Sequence, residues 1–297
     1  MWGRHHDEVV GVIDVGSNTV RLLVARGRRE VLSEREMLRL GAEVEQFGRI
    51  SDAKLTQTAL VVGRLARDAR AAGVVALEIL ITSPGRQAEN GDELVRRLAA
   101  AGDCHARVLS AVEEGELAFA GAVEAADPPA RRSVAVVDVG GGSAQVVVGT
   151  RRDGPAWSQS IDIGSQRLTN RFFESDPPGE DAMRAAAEEV DRYLTGFDSP
   201  VPRVAYAVGG SARAVRQLAA AQLDGRALGD VVELVTSAPS SELVDRYGVD
   251  PDRARTIAAG AVILTALQER LATPLKVVRA GVREGAVIEL GARRAAA

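Results

Sequence analysis

Val134-Ala135-Val136-Val137-Asp138-Val139-Gly140-Gly141-Gly142-Ser143-Ala144-Gln145-Val146-Val147-Val148-Gly149 joins two apolar runs through an acidic residue, three glycines and a serine. Short Val-rich runs bounded by turn residues read as buried strands. Glycines let main-chain N–H groups approach an anion without side chains intervening, and such nests bind phosphate. A P-loop needs Gly-x-x-x-x-Gly-Lys ahead of a helix, and this loop has no such lysine. A Rossmann turn would also open a helix, whereas the valines after Gln145 read as strand. The stretch reads as a β-hairpin whose tip holds a phosphate, with Asp138 at its entrance. An ordinary glycine-rich hairpin turn has the same local pattern.

A second copy separates the two readings. Val9-Val10-Gly11-Val12-Ile13-Asp14-Val15-Gly16-Ser17-Asn18-Thr19-Val20-Arg21-Leu22-Leu23-Val24 repeats the plan of apolar strand, Asp-Val-Gly, small polar residues and apolar strand. The two aspartates are one domain length apart. Two such hairpins imply two related halves facing one another across a cleft, each offering a phosphate-binding tip.

The 297 residues suit two domains with sizeable cores. Hydrophobic residues at 46% and charged residues at 26% are ordinary for a globular protein. A net charge of −4 gives no overall basic field for nucleic acid, so a polyanionic substrate needs local positive charge. Aromatic residues at 3% are too few for base-stacking platforms. The single cysteine, Cys104, excludes an intramolecular disulfide and a multi-cysteine zinc site, and reads as a small buried apolar residue. Met1 to Glu8 lacks an apolar core of signal-peptide length, and His5 and His6 read as a solvated tail. The longest apolar run, Ile257 to Leu267, is too short to span a bilayer, so the expectation is a cytoplasmic protein with no membrane or nucleic-acid partner.

Along the chain, residues 9–15, 19–26 and 31–40 are expected as strands, followed by a Ser51-capped helix to Ala72, a strand at 74–82, a helix at 91–101 and a strand at 104–109. The next helix opens at Ser110-Ala111-Val112-Glu113, a Ser-x-x-Glu capping box. Glu114 is not needed for the cap, and locally it reads as a surface carboxylate matching the helix dipole. Asp127-Pro128-Pro129-Ala130-Arg131-Arg132 is the linker candidate, giving domains at 1–127 and 128–297. The second half repeats the order: strands at 133–139, 143–150 and 155–163, helices from Ser165 and at 180–196, and a strand at 204–208. Gly209-Gly210-Ser211 then opens another helix. Val231 to Val235 reads as a short strand, Asp250-Pro251 starts a helix running to Leu271, and Leu275 to Val278 is the last strand.

This duplicated βββαβαβ plan resembles the actin–hexokinase–Hsp70 superfamily, and within it the exopolyphosphatase and guanosine pentaphosphate phosphohydrolase family. Six segments carry the resemblance: Asp14 to Asn18, Thr82-Ser83 with Arg86 and Asn90, Glu113 to Gly115, Asp138 to Ser143, Gly164 to Thr169, and Gly281 to Gly285. The resemblance implies two actin-like, ribonuclease H-like α/β domains, each a mixed five-stranded sheet with flanking helices, and a cleft between them. It gives Glu114 the role of catalytic base and leaves Glu113 the cap. It makes Gly16, Ser17 and Asn18 the first phosphate loop and Gly140, Gly141, Gly142 and Ser143 the second. Arg86 takes the place of an arginine near the phosphate chain, and Asp14 and Asp138 become candidates for holding Mg2+. Arg167 and Arg283 fall in matching motifs, where each also reads as a structural ion pair. Gly209, Gly210 and Ser211 lie where the superfamily places its adenosine loop.

The implied substrates are inorganic polyphosphate and guanosine penta- or tetraphosphate, and the implied assembly is a homodimer. Family members usually carry Glu where Gln145 stands, and the neutral amide is a weaker Mg2+ ligand. The longer members' extra C-terminal helical domain has no counterpart here, which implies a shorter substrate channel. Three readings follow: a Mg2+-dependent phosphohydrolase, a binding protein that senses an alarmone or polyphosphate, and an ATP-using kinase.

Overall fold

The computed structural model describes residues 8–219 and 222–296, so His5 and His6 lie outside the described residues. In chain order the first elements are β1 (Val9–Val15), β2 (Thr19–Arg26), β3 (Arg29–Met37), α1 (Leu40–Phe47), α2 (Asp52–Ala71), β4 (Ala76–Ile81), α3 (Ser83–Gln87), α4 (Gly91–Gly102), β5 (His105–Val108) and α5 (Ala111–Ala126). They are followed by β6 (Ser133–Val139), β7 (Ala144–Thr150), β8 (Gly154–Ile161), α6 (Ser165–Phe172), α7 (Glu180–Tyr193), β9 (Val204–Val208) and α8 (Gly209–Leu218). The chain closes with α9 (Gly225–Ser237), α10 (Ser240–Tyr247), α11 (Pro251–Ala254), α12 (Ile257–Leu271), β10 (Leu275–Val277) and α13 (Val282–Ala296).

Two five-stranded sheets result, ordered β3-β2-β1-β4-β5 and β8-β7-β6-β9-β10. In each, the first three strands form an antiparallel meander and the last two run parallel to the first strand. The sheets are the same topology used twice. Strands β1 and β6 are central and covered on both faces, which is why they read as unbroken apolar runs. The edge strands β3 and β8 are far less buried, and over residues 32–36 and 157–161 their exposure alternates with the period of a strand.

The described residues group into two compact units, Met1–Leu117 with Val282–Ala297, and Ala118–Gly281. A cut at 127/128 would leave α13 with the second half; instead its apolar face, Val282, Ala286, Val287 and Leu290, is buried where the helix packs on β1 and β2. Each unit has its own core. In the first, Leu55, Val62, Leu65 and Ala66 of α2 and Leu94 and Leu98 of α4 are buried with the sheet. In the second, α12 is buried over most of its length, from Ile257 to Leu264 and again at Leu267 and Leu271. Each such fully buried Leu, Ile or Val is worth roughly 1.5–3 kcal/mol. No helix of the described residues is long and apolar enough to cross a membrane.

Three expectations are corrected. Val231 to Val235 is not a strand but the middle of α9. Leu228, Val231 and Val235 share its buried face at helical spacing, and this packing overrides the β-leaning of the valines. The helix expected from Asp250 to Leu271 is two helices. Asp250 caps α11 through Asp252 N at 3.0 Å, but both the amide and the hydroxyl of Thr256 turn back to the Arg253 carbonyl before α12 begins. Cys104, expected as buried, is only partly so, and sits against the first core. The α9 cap is its own test. Asp224 accepts the Ala227 amide at 2.9 Å, and Asp224→Ala should lower unfolding stability by about 1 kcal/mol in a denaturant titration. A strand there would lose nothing comparable.

Candidate active site

The two hairpin tips close alike, although the carbonyls taken up by the following chain are one residue out of step between them. Gly16 N donates to Thr19 O at 3.0 Å, and Gly140 N donates to Ser143 O at 2.9 Å. The carbonyls inside each tip are then taken up by the following chain. Ser17 O accepts from Gly41 N at 2.8 Å, and Asn18 O accepts from Leu38 N and Arg39 N, both at 2.9 Å. In the second unit Gly140 O accepts from Ser165 N at 2.9 Å, and Gly141 O accepts from Gln166 N and Arg167 N at 2.9 and 3.1 Å. A trans peptide points its C=O and N–H in opposite directions. With the Gly140 and Gly141 carbonyls turned toward α6, the amides of Gly141 and Gly142 are aimed away from it. By the same argument the amides of Asn18 and Thr19 are aimed away from the segment at 38–41. Each tip thus offers two successive N–H groups on one side, the geometry of an anion nest.

Glycine is needed for this approach at two positions. A Cβ on Gly164 would stand 2.4 Å from the Gly141 carbonyl carbon, and one on Gly41 would stand 2.8 Å from the Ser17 Cβ. The Ser17 hydroxyl is further held by Ser83 Oγ at 2.6 Å, and Ser165 Oγ by Ser211 Oγ at 3.1 Å.

The register extends the equivalence beyond what the sequence suggested. Asp14 lies opposite Arg21, and Asp138 lies opposite Gln145. Arg21 Nε donates to Thr19 Oγ1 at 3.2 Å, and Gln145 Nε2 donates to Ser143 Oγ at 2.9 Å. Thr19 is therefore the counterpart of Ser143, and Arg21 of Gln145; neither Thr19 nor Arg21 was marked as a site residue from sequence. Their signal was present, since each stands at the same offset from its aspartate as Ser143 and Gln145 do. Gln145 is buried and also reaches Ser160 Oγ at 3.5 Å.

In the first unit, Asp14 sits at the end of β1. Burial pushes its carboxyl up from the ordinary range, against the pull of Arg283 and Arg21, and Glu284 pushes it further up. Arg283, from the start of α13, donates to Ser33 Oγ at 3.5 Å and pairs with Glu284 at 3.3 Å. The ion-pair reading of Arg283 and its motif reading thus meet at the same residue.

Glu114 is not the surface carboxylate its local sequence suggests. It is 8% exposed, and its Oε2 lies 2.8 Å from Arg86 Nη1. The same Arg86 nitrogen donates to Leu109 O at 2.9 Å, so the arginine is anchored on the backbone at the start of α5. The Ser110 box forms as expected, with Ser110 N to Glu113 Oε2 at 2.8 Å and Glu113 N to Ser110 Oγ at 3.1 Å.

In the second unit, Asp138 Oδ1 stands against Gly209, whose φ of +82° and lack of Cβ both suit glycine; a Cβ there would be 2.4 Å from that oxygen. The Arg253 guanidinium lies against Gly210, a contact the sequence did not suggest. Arg167 donates Nη1 to Asp162 O at 2.7 Å and pairs with its carboxylate at 2.9 Å, which is the structural ion pair. Among the described residues there is no cluster of three or more His, Cys, Asp or Glu side chains that could hold a metal. So sparse a carboxylate set suits a cation that keeps most of its waters and borrows phosphate oxygens, which is the habit of Mg2+.

Two mixed sheets of this order with flanking helices make the actin-like, two-domain architecture. The model of the Ppx/GppA phosphatase family matches residues 23–293, and the chain belongs to that family. Exopolyphosphatase 2 of Mycobacterium tuberculosis is 28% identical to it, over 94% of this chain and 94% of that protein. Exopolyphosphatase 1 of Mycobacterium leprae is 26% identical, over 88% and 83%. The crystal structure of the Aquifex aeolicus member of the Ppx/GppA family matches in fold with a TM-score of 0.81 at 24% identity, covering 97% of this chain and 98% of that one.

The second tip makes a direct test. Gly164→Ala forces α6 off the Gly141 peptide, and phosphate release should fall by at least about tenfold, since small misplacements of positioning groups cost that much. An equally active Gly164→Ala protein would mean that the tip's placement is irrelevant.

Proposed function

We propose that this phosphatase removes the terminal phosphate of inorganic polyphosphate, with guanosine pentaphosphate as a second substrate, acting in the cytoplasm as a homodimer. The observation that carries the reading is Glu114, a carboxylate withdrawn from solvent and charge-paired to a backbone-anchored arginine at a helix start.

Phosphoanhydride hydrolysis asks little covalent work of the protein: it needs an in-line water and neutralised phosphoryl oxygens. In this reading Glu114 accepts a proton from the water as its oxygen bonds to the terminal phosphorus. The bridging P–O bond breaks, and its electron pair leaves with the shortened chain. The paired amides of a tip, at Asn18 and Thr19 or at Gly141 and Gly142, are the main-chain donors for phosphate oxygens. Arg86 keeps its hold on the Leu109 carbonyl while its remaining donors turn to phosphate. Asp138 or Asp14 would hold Mg2+, which would supply charge neutralisation on the transferred oxygens.

The test is phosphate release from polyphosphates of graded length and from guanosine pentaphosphate, with and without Mg2+. Glu114→Gln should cut kcat by about 10²–10⁴-fold while binding survives. A fully active Glu114→Gln enzyme would remove the assignment. Gln145 favours a second reading, a weakly active alarmone or polyphosphate sensor, because a buried amide replaces an acidic ligand. Calorimetric binding without phosphate release would select it. On the first reading, Gln145→Glu should lower the Mg2+ concentration for half-maximal activity, and an unchanged metal titration would count against any role for this position in metal use.

A further inference from the structure

Helix α13 reaches the helix that carries Glu114 at two places. Gly285 lies directly on α5: a Cβ there would be 1.9 Å from the Leu117 carbonyl oxygen and 2.7 Å from its carbon. Leu117 is about one turn beyond Glu114. Two turns further along α13, Arg293 Nη2 donates to Glu78 Oε2 at 2.7 Å. Glu78, on β4, is 3% exposed, and its other oxygen accepts from Arg107 Nε at 3.0 Å, with His105 Nδ1 at 3.3 Å. Arg107 then gives Nη1 to Glu113 Oε1 at 2.8 Å, while the second oxygen of Glu113 closes the cap on Ser110 N. A line of alternating charge therefore runs from the end of α13, through the parallel strands β4 and β5, to the residue beside Glu114.

Exposed ion pairs contribute little, because water and salt compete with them. This line is different at its centre. A carboxylate buried as Glu78 is cannot be left unpaired without a large cost, so it dictates where Arg107 and Arg293 must be. Burial alone would raise the Glu78 carboxyl, but the hydrogen bonds from Arg293 and Arg107 outweigh it and hold the group below its usual range. Arg107 is thereby a fixed point, and the first turn of α5 is tied to it through a side chain rather than through helix propensity.

We infer that α13 is the positioning element of Glu114, acting through Gly285 on Leu117 and through the Arg293–Glu78–Arg107–Glu113 line on the first turn of α5. The inference rests on Glu114 as the base; Glu78, Arg107 and Gly285 are positioning residues. A carboxylate that must meet a water in line tolerates little displacement, and an error near 1 Å costs about a hundredfold in rate.

The test uses the full chain. Arg293→Met, which removes the α13 end of the line, and Arg107→Met are each followed by kcat and KM per folded protein and by hydrogen exchange at the Glu113 and Glu114 amides. A change in Arg107→Met that Arg293→Met does not share counts against α13. The expected result is a kcat lower by about tenfold with KM within about twofold, and exchange at both amides faster by about tenfold. Arg107→Lys, which keeps the charge, should recover part of the rate. Gly285→Ala should act in the same direction where it folds. Unchanged kcat in Arg107→Met, or a loss of rate with unchanged exchange at the two amides, overturns the inference. The base reading fails separately, on a fully active Glu114→Gln, and in that event exchange alone decides whether α13 fixes this turn.

Discussion

Everything in each unit depends on a central strand that is buried on both faces and must turn back within a few residues. β1 and β6 have no spare face to hide a charge, so the single charged residue each carries, Asp14 or Asp138, comes near the end where the sheet stops. The turn is closed by one hydrogen bond, from the glycine amide to the carbonyl three residues on. The next segment then takes the tip's carbonyls, and peptide planarity sends the amides the other way. The outward-facing amides are thus a by-product of satisfying the tip's carbonyls, which would otherwise be left without partners.

Much of this was legible in the chain because the information is local. The paired hairpins follow from Val runs and glycines, the α5 cap from Ser110 and Glu113, and the covered strands from runs without alternation. What was not legible is long-range. Glu114 sits one residue beyond a capping box, and nothing nearby says that Arg86 will cover it. Val231 to Val235 has β-branched composition, and only its packing reveals the helix, although the Leu228–Val231–Val235 spacing was there to be read. The grouping of α13 with the first unit depends on an apolar stripe meeting β1 and β2 across more than 250 residues of chain. No linker composition could announce it, and the Pro-rich stretch at 127–132 is a loop within one unit rather than a border.

The duplication also shows where the two tips have diverged. In both, the residue two beyond the hydroxyl-bearing one donates to that hydroxyl. In the first tip the donor is a guanidinium, in the second an amide. The geometry needed to orient Thr19 or Ser143 is met equally by either, so packing does not choose between them. Charge does.

Near Asp14 there are two cations and one further carboxylate, and burial still raises its carboxyl. Arg283 and Arg21 pull the carboxyl the other way, so positive charge already faces it. Adding a divalent cation there meets repulsion from Arg21 and Arg283 before it gains a ligand. Opposite Asp138 stands an uncharged amide, so a hydrated cation approaching that carboxylate meets no such repulsion from Gln145. The amide therefore has two effects that pull apart: it removes a negative ligand, and it avoids adding a positive neighbour. A glutamate would strengthen the cation's hold, and an arginine copied from the first tip would abolish it. Gln145 lies between these in charge, while it keeps the hydrogen bond to the Ser143 hydroxyl.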